Sequence, residues 1–151
     1  MTHNQALNQT PSTQPLLSHS LLSKALLTNS LLANAVFSGT SAVIIAFTHE
    51  SLSHEIPLPS VYWLLIAAGL GMFAGQLLLM AVTLMRQSPW QNLVFKLTPS
   101  VVIADVIWVL GSLTLALVFA DQISGLGFGI IAGVNVFVGS LALLQYRGLQ
   151  E

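Results

Sequence analysis

The sequence predicts an all-α integral membrane protein, an antiparallel four-helix bundle with its N- and C-termini in the cytoplasm. Three observations carry this reading. The 151 residues are 54% hydrophobic and only 6% Asp, Glu, Lys and Arg, against roughly 25% charged residues in an ordinary soluble domain. Four segments are long enough to cross a bilayer core about 30 Å thick, which takes roughly 20 apolar residues of helix. The four basic residues all fall on one side of the bilayer when those segments are threaded through it, and the positive-inside rule makes that side the cytoplasm. The composition excludes a soluble enzyme and a disordered chain. A net charge of −1 provides no field for nucleic acid. The mean hydropathy of +0.81 agrees.

Residues 1–25 form a polar lead, rich in Ser, Thr, Asn and Gln, that is expected to be largely disordered. It lacks the cationic start, short apolar core and small-residue cleavage site of a removable signal peptide. Leu-Leu pairs recur every five residues at positions 16, 21, 26 and 31. A step of five turns a helix by about 140°, so these pairs make no stripe.

The transmembrane domain covers residues 26–147, and 148–151 form a tail. Its spans lie at about 26–48, 61–85, 100–120 and 123–146, with short connections that favour an up-down bundle. Lys24 precedes the first span, Arg86 and Lys96 separate the second from the third, and Arg147 follows the fourth. Glu50, Glu55 and Asp121 lie on the opposite side. Tyr62 and Trp63 at the outer edge and Tyr146 at the inner edge suit the interfacial preference of amphipathic rings. Ser88-Pro89 reads as an N-cap with proline at the first helical position. Trp90, Leu93, Val94 and Leu97 then make the apolar face of an interfacial helix over about 89–97. Thr98-Pro99 repeats the cap-and-proline device and restarts the chain into the third span.

Asp105 is the one acid inside a span, and an acid in hydrocarbon is costly and by default a candidate functional group. Asp105, Trp108, Val109 and Ser112 share a helical face. One reading pairs Asp105 with Arg147 or Arg86, or has it cap a neighbouring helix; the other makes it a proton-relay or substrate-binding group. Each remaining span brings a carboxamide, namely Asn34, Gln76 and Asn135. Together with Asp105 they suit a polar cluster inside the bundle. Hydrogen bonds between helices account for such a cluster without any ligand.

Small residues recur at the spacing that lets helices approach closely: Gly71 and Gly75 in the second span, and Gly125, Gly129 and Gly133 in the fourth. They suit packing within the bundle or between copies. Gly125-Leu-Gly-Phe-Gly is not a nucleotide loop, because no strand precedes it and no Lys follows. Cys is absent, which removes disulfides, thiolate metal sites and Cys nucleophiles. The His49-Glu50 and His54-Glu55 pairs belong to the loop between the first two spans, and the two His would point about 140° apart on a helix. No metal and no cofactor are expected, and no catalytic residue is assigned.

Three stretches, Asn34-Ala-Val-Phe-Ser-Gly39, Ala104-Asp-Val-Ile-Trp-Val-Leu-Gly-Ser112 and Leu144-Gln-Tyr-Arg-Gly-Leu149, resemble a group of small bacterial four-span membrane proteins of no assigned activity. The resemblance covers the spans and not the N-terminal 25 residues. It implies the bacterial cytoplasmic (inner) membrane and carries no functional residue across. Small multidrug transporters also have four short spans, yet they rely on a Glu in the first, where this sequence has none. The expectation is a non-enzymatic accessory or scaffolding subunit that meets a second copy or another membrane protein in the lipid bilayer through its glycine faces. The alternative is a small proton-coupled transporter or ligand-binding bundle centred on Asp105, with Trp108, Asn34, Gln76 and Asn135 lining the site.

Overall fold

A computed structural model describes residues 14–150, with side chains from residue 22 onward. It consists of four helices, α1 (Gln14–Glu55), α2 (Ser60–Met85), α3 (Gln91–Val118) and α4 (Gly125–Gln150), with no strand among the described residues. Each contains a stretch long and apolar enough to cross a membrane, the pattern of a helical multi-pass membrane protein. The exterior supports this: Phe47, Leu65, Met72, Leu79 and Leu117 are all largely exposed, while Asn34, Asp105, Asn135 and Gln145 are buried. An apolar skin around polar interior groups is the reverse of a protein made for water.

α1 packs along both α2 and α4, α3 packs along α4, and α2 meets α3 only sparsely. The connections divide the molecule into two ends. One carries two connections, residues 56–59 and 119–124; the other carries the α2–α3 turn, residues 86–90. At the two-loop end, Ser124 caps α4 by accepting the Gly127 N–H at 3.0 Å. Its own hydroxyl donates to the Glu55 carboxylate, and its backbone N–H donates to the Glu55 carbonyl oxygen at 3.0 Å. The last turn of α1 is thereby tied to the first turn of α4. Ile56, Trp63, Ala116 and Ile123 close this end with an apolar cluster. At the one-loop end, Leu27, Leu31, Leu77, Leu84, Val94 and Val101 form the main core. There the Lys24 ammonium donates to Gln91 Oε1 at 2.9 Å.

Several elements differ from expectation. α1 is one helix of 42 residues, so residues 14–25 belong to the helix that carries the first span, and the His49-Glu50 and His54-Glu55 pairs sit in its last turns instead of a loop. Residues 1–13 lie outside the described residues. α3 starts at Gln91 and continues through Pro99 without a break, so the interfacial segment and the third span are a single helix. The proline removes one backbone donor, but Val94, Thr98, Val101 and Asp105 are buried on one continuous face that crosses it. Thr98 does not cap forward; its hydroxyl donates back to the Val94 carbonyl at 2.8 Å. Trp63 turns into the two-loop cluster, whereas Tyr62 stays exposed.

The glycines also divide differently. A Cβ on Gly75, Gly125, Gly129 or Gly133 would have open space around it, and one on Gly71 would reach only the Ala42 Cβ at 4.0 Å. None of these five brings two helices of this chain into close contact. Two others do. A Cβ on Gly127 would lie 2.8 Å from the Glu55 carbonyl oxygen, and one on Gly148 would lie 3.2 Å from the Leu27 backbone nitrogen. Those are the points where α4 presses on α1.

Candidate functional site

Between the two apolar clusters residues of all four helices line a cavity of about 790 Å³ that is open on one side, within the 300–1,000 Å³ typical of pockets that take small molecules. Its wall is apolar except for a short polar column. Asn34 Nδ2 donates to Asp105 Oδ2 at 2.8 Å, and Ser38 donates to Asn34 Oδ1 at 3.3 Å. Seven residues further along α3, Ser112 donates to Asn135 Oδ1 at 2.6 Å. Seven residues of α-helix rise about 10 Å, so two polar layers of that separation stack along α3 with the Trp108 indole between them.

Local structure explains why these side chains face inward. On α1 the buried positions include Leu27, Leu31, Asn34, Ala35, Ser38 and Ala42, a helical stripe that faces α2 and α4 and carries the amide with it. On α4, Asn135 belongs to the stripe of Val138, Leu141, Ala142 and Gln145. On α3, Asp105 follows Val94, Thr98 and Val101. Of the expected site residues, Asn34, Asp105, Trp108 and Asn135 therefore line one cavity. Gln76 does not join them. Leu77, Met80, Ala81 and Leu84 fix the buried face of α2, and Gln76 points outward among exposed apolar residues. The partner of Asp105 is the Asn34 amide and not a guanidinium, for both Arg86 and Arg147 are exposed.

Two donors in the wall have no partner among the described residues: Asn135 Nδ2 and Trp63 Nε1. Both residues are more than nine-tenths buried. A buried donor without a partner costs about 1–3 kcal/mol, and an acceptor inside the cavity would offset that cost. No Lys, Arg or His lines it, which leaves Asp105 as its one ionisable group among the described residues. The hydroxyls of Ser38 and Ser112 donate to amide oxygens and have no base beside them. The arrangement can bind and orient a molecule. Among the described residues no group of three His, Asp or Glu gathers as metal ligands would.

Sequence reasoning missed Gln145, which is fully buried on α4 with neither amide atom paired among the described residues. It sits near the end of its helix, where a polar residue carries no particular signal. No family model, curated protein or solved structure matches the chain, and the chemistry of the cavity rests on its own residues.

Proposed function

We propose that this chain is a multi-pass protein of the bacterial cytoplasmic membrane whose interior binds a small lipophilic molecule without converting it. Its four helices run antiparallel across the bilayer, and both termini lie in the cytoplasm. The single observation that carries the binding role is the cavity: it is large, lined by residues of all four helices, and contains an acid and an unsatisfied carboxamide. Binding is the simplest task for such a site, and transport is the form it takes if the molecule leaves by a different face. The orientation rests on charge. Lys24, Arg86, Lys96 and Arg147 belong to the one-loop end, while Glu50, Glu55 and Asp121 belong to the other. The resemblance of the four spans to small bacterial membrane proteins, carried by the three stretches quoted above, is the reason for this location.

Native mass spectrometry of the chain, extracted in mild detergent, tests the binding role. A defined small molecule should ride with the protein and be lost when Ser112→Phe fills the cavity. A protein that is bare, or that keeps its adduct in the filled variant, overturns the reading.

A second reading has its own support. Gly125, Gly129 and Gly133 point away from the chain's other helices into open space, which leaves a flat face for a helix of a second copy or another membrane protein. Gly129→Leu and Gly133→Leu should then shift the crosslinked species from dimer to monomer while the helical content is unchanged. An unaltered crosslinking pattern removes this reading.

A further inference from the structure

The geometry points to the class of molecule that fills the cavity: a lipophilic ammonium compound, its charge at Asp105 and an acceptor oxygen at Asn135. This rests on the binding role proposed above and adds the chemistry of the occupant.

Charge complementarity is the first argument. Asp105 is 3% exposed, faces an apolar cavity, and has one amide as its partner. No cationic side chain lines the wall among the described residues, so the counter-charge that would hold Asp105 ionised has to come from the occupant. A bound cation offsets the desolvation that an acid suffers in such a place. The second argument is the Asn135 amide, whose oxygen is taken by Ser112 while its NH2 group has no partner among the described residues. These donors call for a carbonyl or ether oxygen about 10 Å from the charge, the rise of the seven helical residues between Asp105 and Ser112. The remaining wall, including Ile44, Ile45, Ile66, Phe73 and Leu115, suits an apolar body. Trp63 offers one more donor at the far end.

The way in follows from the packing. α2 and α3 barely touch, and on that side Gly69, Ala104, Ile107 and Gly111 both line the cavity and are exposed. The gap opens sideways onto the apolar exterior of the bundle. A molecule dissolved in the bilayer reaches the carboxyl group through it without crossing water.

Three probes of nearly equal length separate the contributions: the octyl ester of 8-aminooctanoic acid, the octyl ester of 8-hydroxyoctanoic acid, and hexadecylamine. The first has both charge and carbonyl, the second lacks the charge, and the third lacks the carbonyl. They compete in equimolar mixture for the intact chain in mild non-ionic detergent, with occupancy read by native mass spectrometry. The amino ester should exceed the hydroxy ester by about tenfold or more and hexadecylamine by about fivefold. Asp105→Asn, which preserves the shape of the side chain, should erase the first preference and leave the second. Asn135→Leu should erase the second and leave the first. Equal occupancy by the amino and hydroxy esters in the unaltered chain overturns the ammonium assignment while the binding role stands. Binding of none of the three overturns the binding role with it. The comparison on the unaltered chain holds even if a variant fails to fold.

Discussion

Replacing Gly127 with Ala is expected to destabilise the folded chain by about 2 kcal/mol, and replacing it with Leu by more. The added Cβ would meet the Glu55 carbonyl oxygen at 2.8 Å, and a backbone atom cannot rotate away as a side chain can. The same carbonyl accepts the Ser124 N–H, and the Ser124 hydroxyl holds the Glu55 carboxylate. Pushing α4 from α1 at this point loses the clasp at the two-loop end as a unit. Thermal unfolding in mild detergent measures the effect. Gly129→Ala is the control, since its Cβ enters open space, and a helix-interior Gly→Ala change gains roughly 0.5–1 kcal/mol. If Gly127→Ala and Gly129→Ala unfold at the same temperature, the close approach is not a stabilising contact.

Asn34→Leu should weaken the fold by about 2 kcal/mol, because it leaves the Asp105 carboxyl group buried with no donor and deprives the Ser38 hydroxyl of its acceptor. Asp105→Leu alone strands the Asn34 amide in the same way. The double variant removes both polar groups together, and its loss should be smaller than the sum of the two. A double-mutant cycle from equilibrium unfolding isolates the difference. Side-chain hydrogen bonds between membrane helices couple by about 0.6 kcal/mol on average and up to about 1.7. A charged-type acceptor places this pair near the upper value. Additive losses mean that the two side chains do not depend on one another.

The amino-acid pattern reveals the four helices because hydropathy over a window of 20 residues is a strong signal. It reveals their ends less well. Residues 1–25 read as a polar lead because Ser, Thr, Asn and Gln dominate them and the Leu-Leu pairs make no stripe, although residues 14–25 belong to α1. Pro99 reads as a helix start by local rules, whereas burial on both sides of it keeps α3 whole. Asn34, Asp105 and Asn135 were legible as inward groups because a polar side chain among apolar neighbours must find a partner. Gln76 obeys the same rule in sequence and breaks it in space. A period of 3.6 does not tell which side of α2 faces the bundle when nearly every residue around it is apolar.

The glycines show the same limit. Gly125, Gly127 and Gly129 stand two apart in sequence, and the GxxxG spacing selects the outer pair. Only the cap at Ser124 and the position of the Glu55 carbonyl single out Gly127. Which partner Asp105 takes is likewise a matter of depth along the bundle, and the amide of Asn34 lies level with it where the arginines do not.

The bond from Asn34 to Asp105 joins residues 71 apart, and this has a bearing on how the chain is made. At about 5–20 residues per second, a ribosome needs roughly 4–14 s to reach the second after the first. Several hydroxyl groups of α1 are provided for in the meantime by the helix itself. Thr28 donates to the Lys24 carbonyl, Ser30 to the Leu27 carbonyl and Ser38 to the Asn34 side-chain oxygen, all within four residues. The Asn34 NH2 has no such local acceptor. For those seconds one amide on the newborn helix depends on whatever shelters it, and the arrival of α3 is the event that releases it.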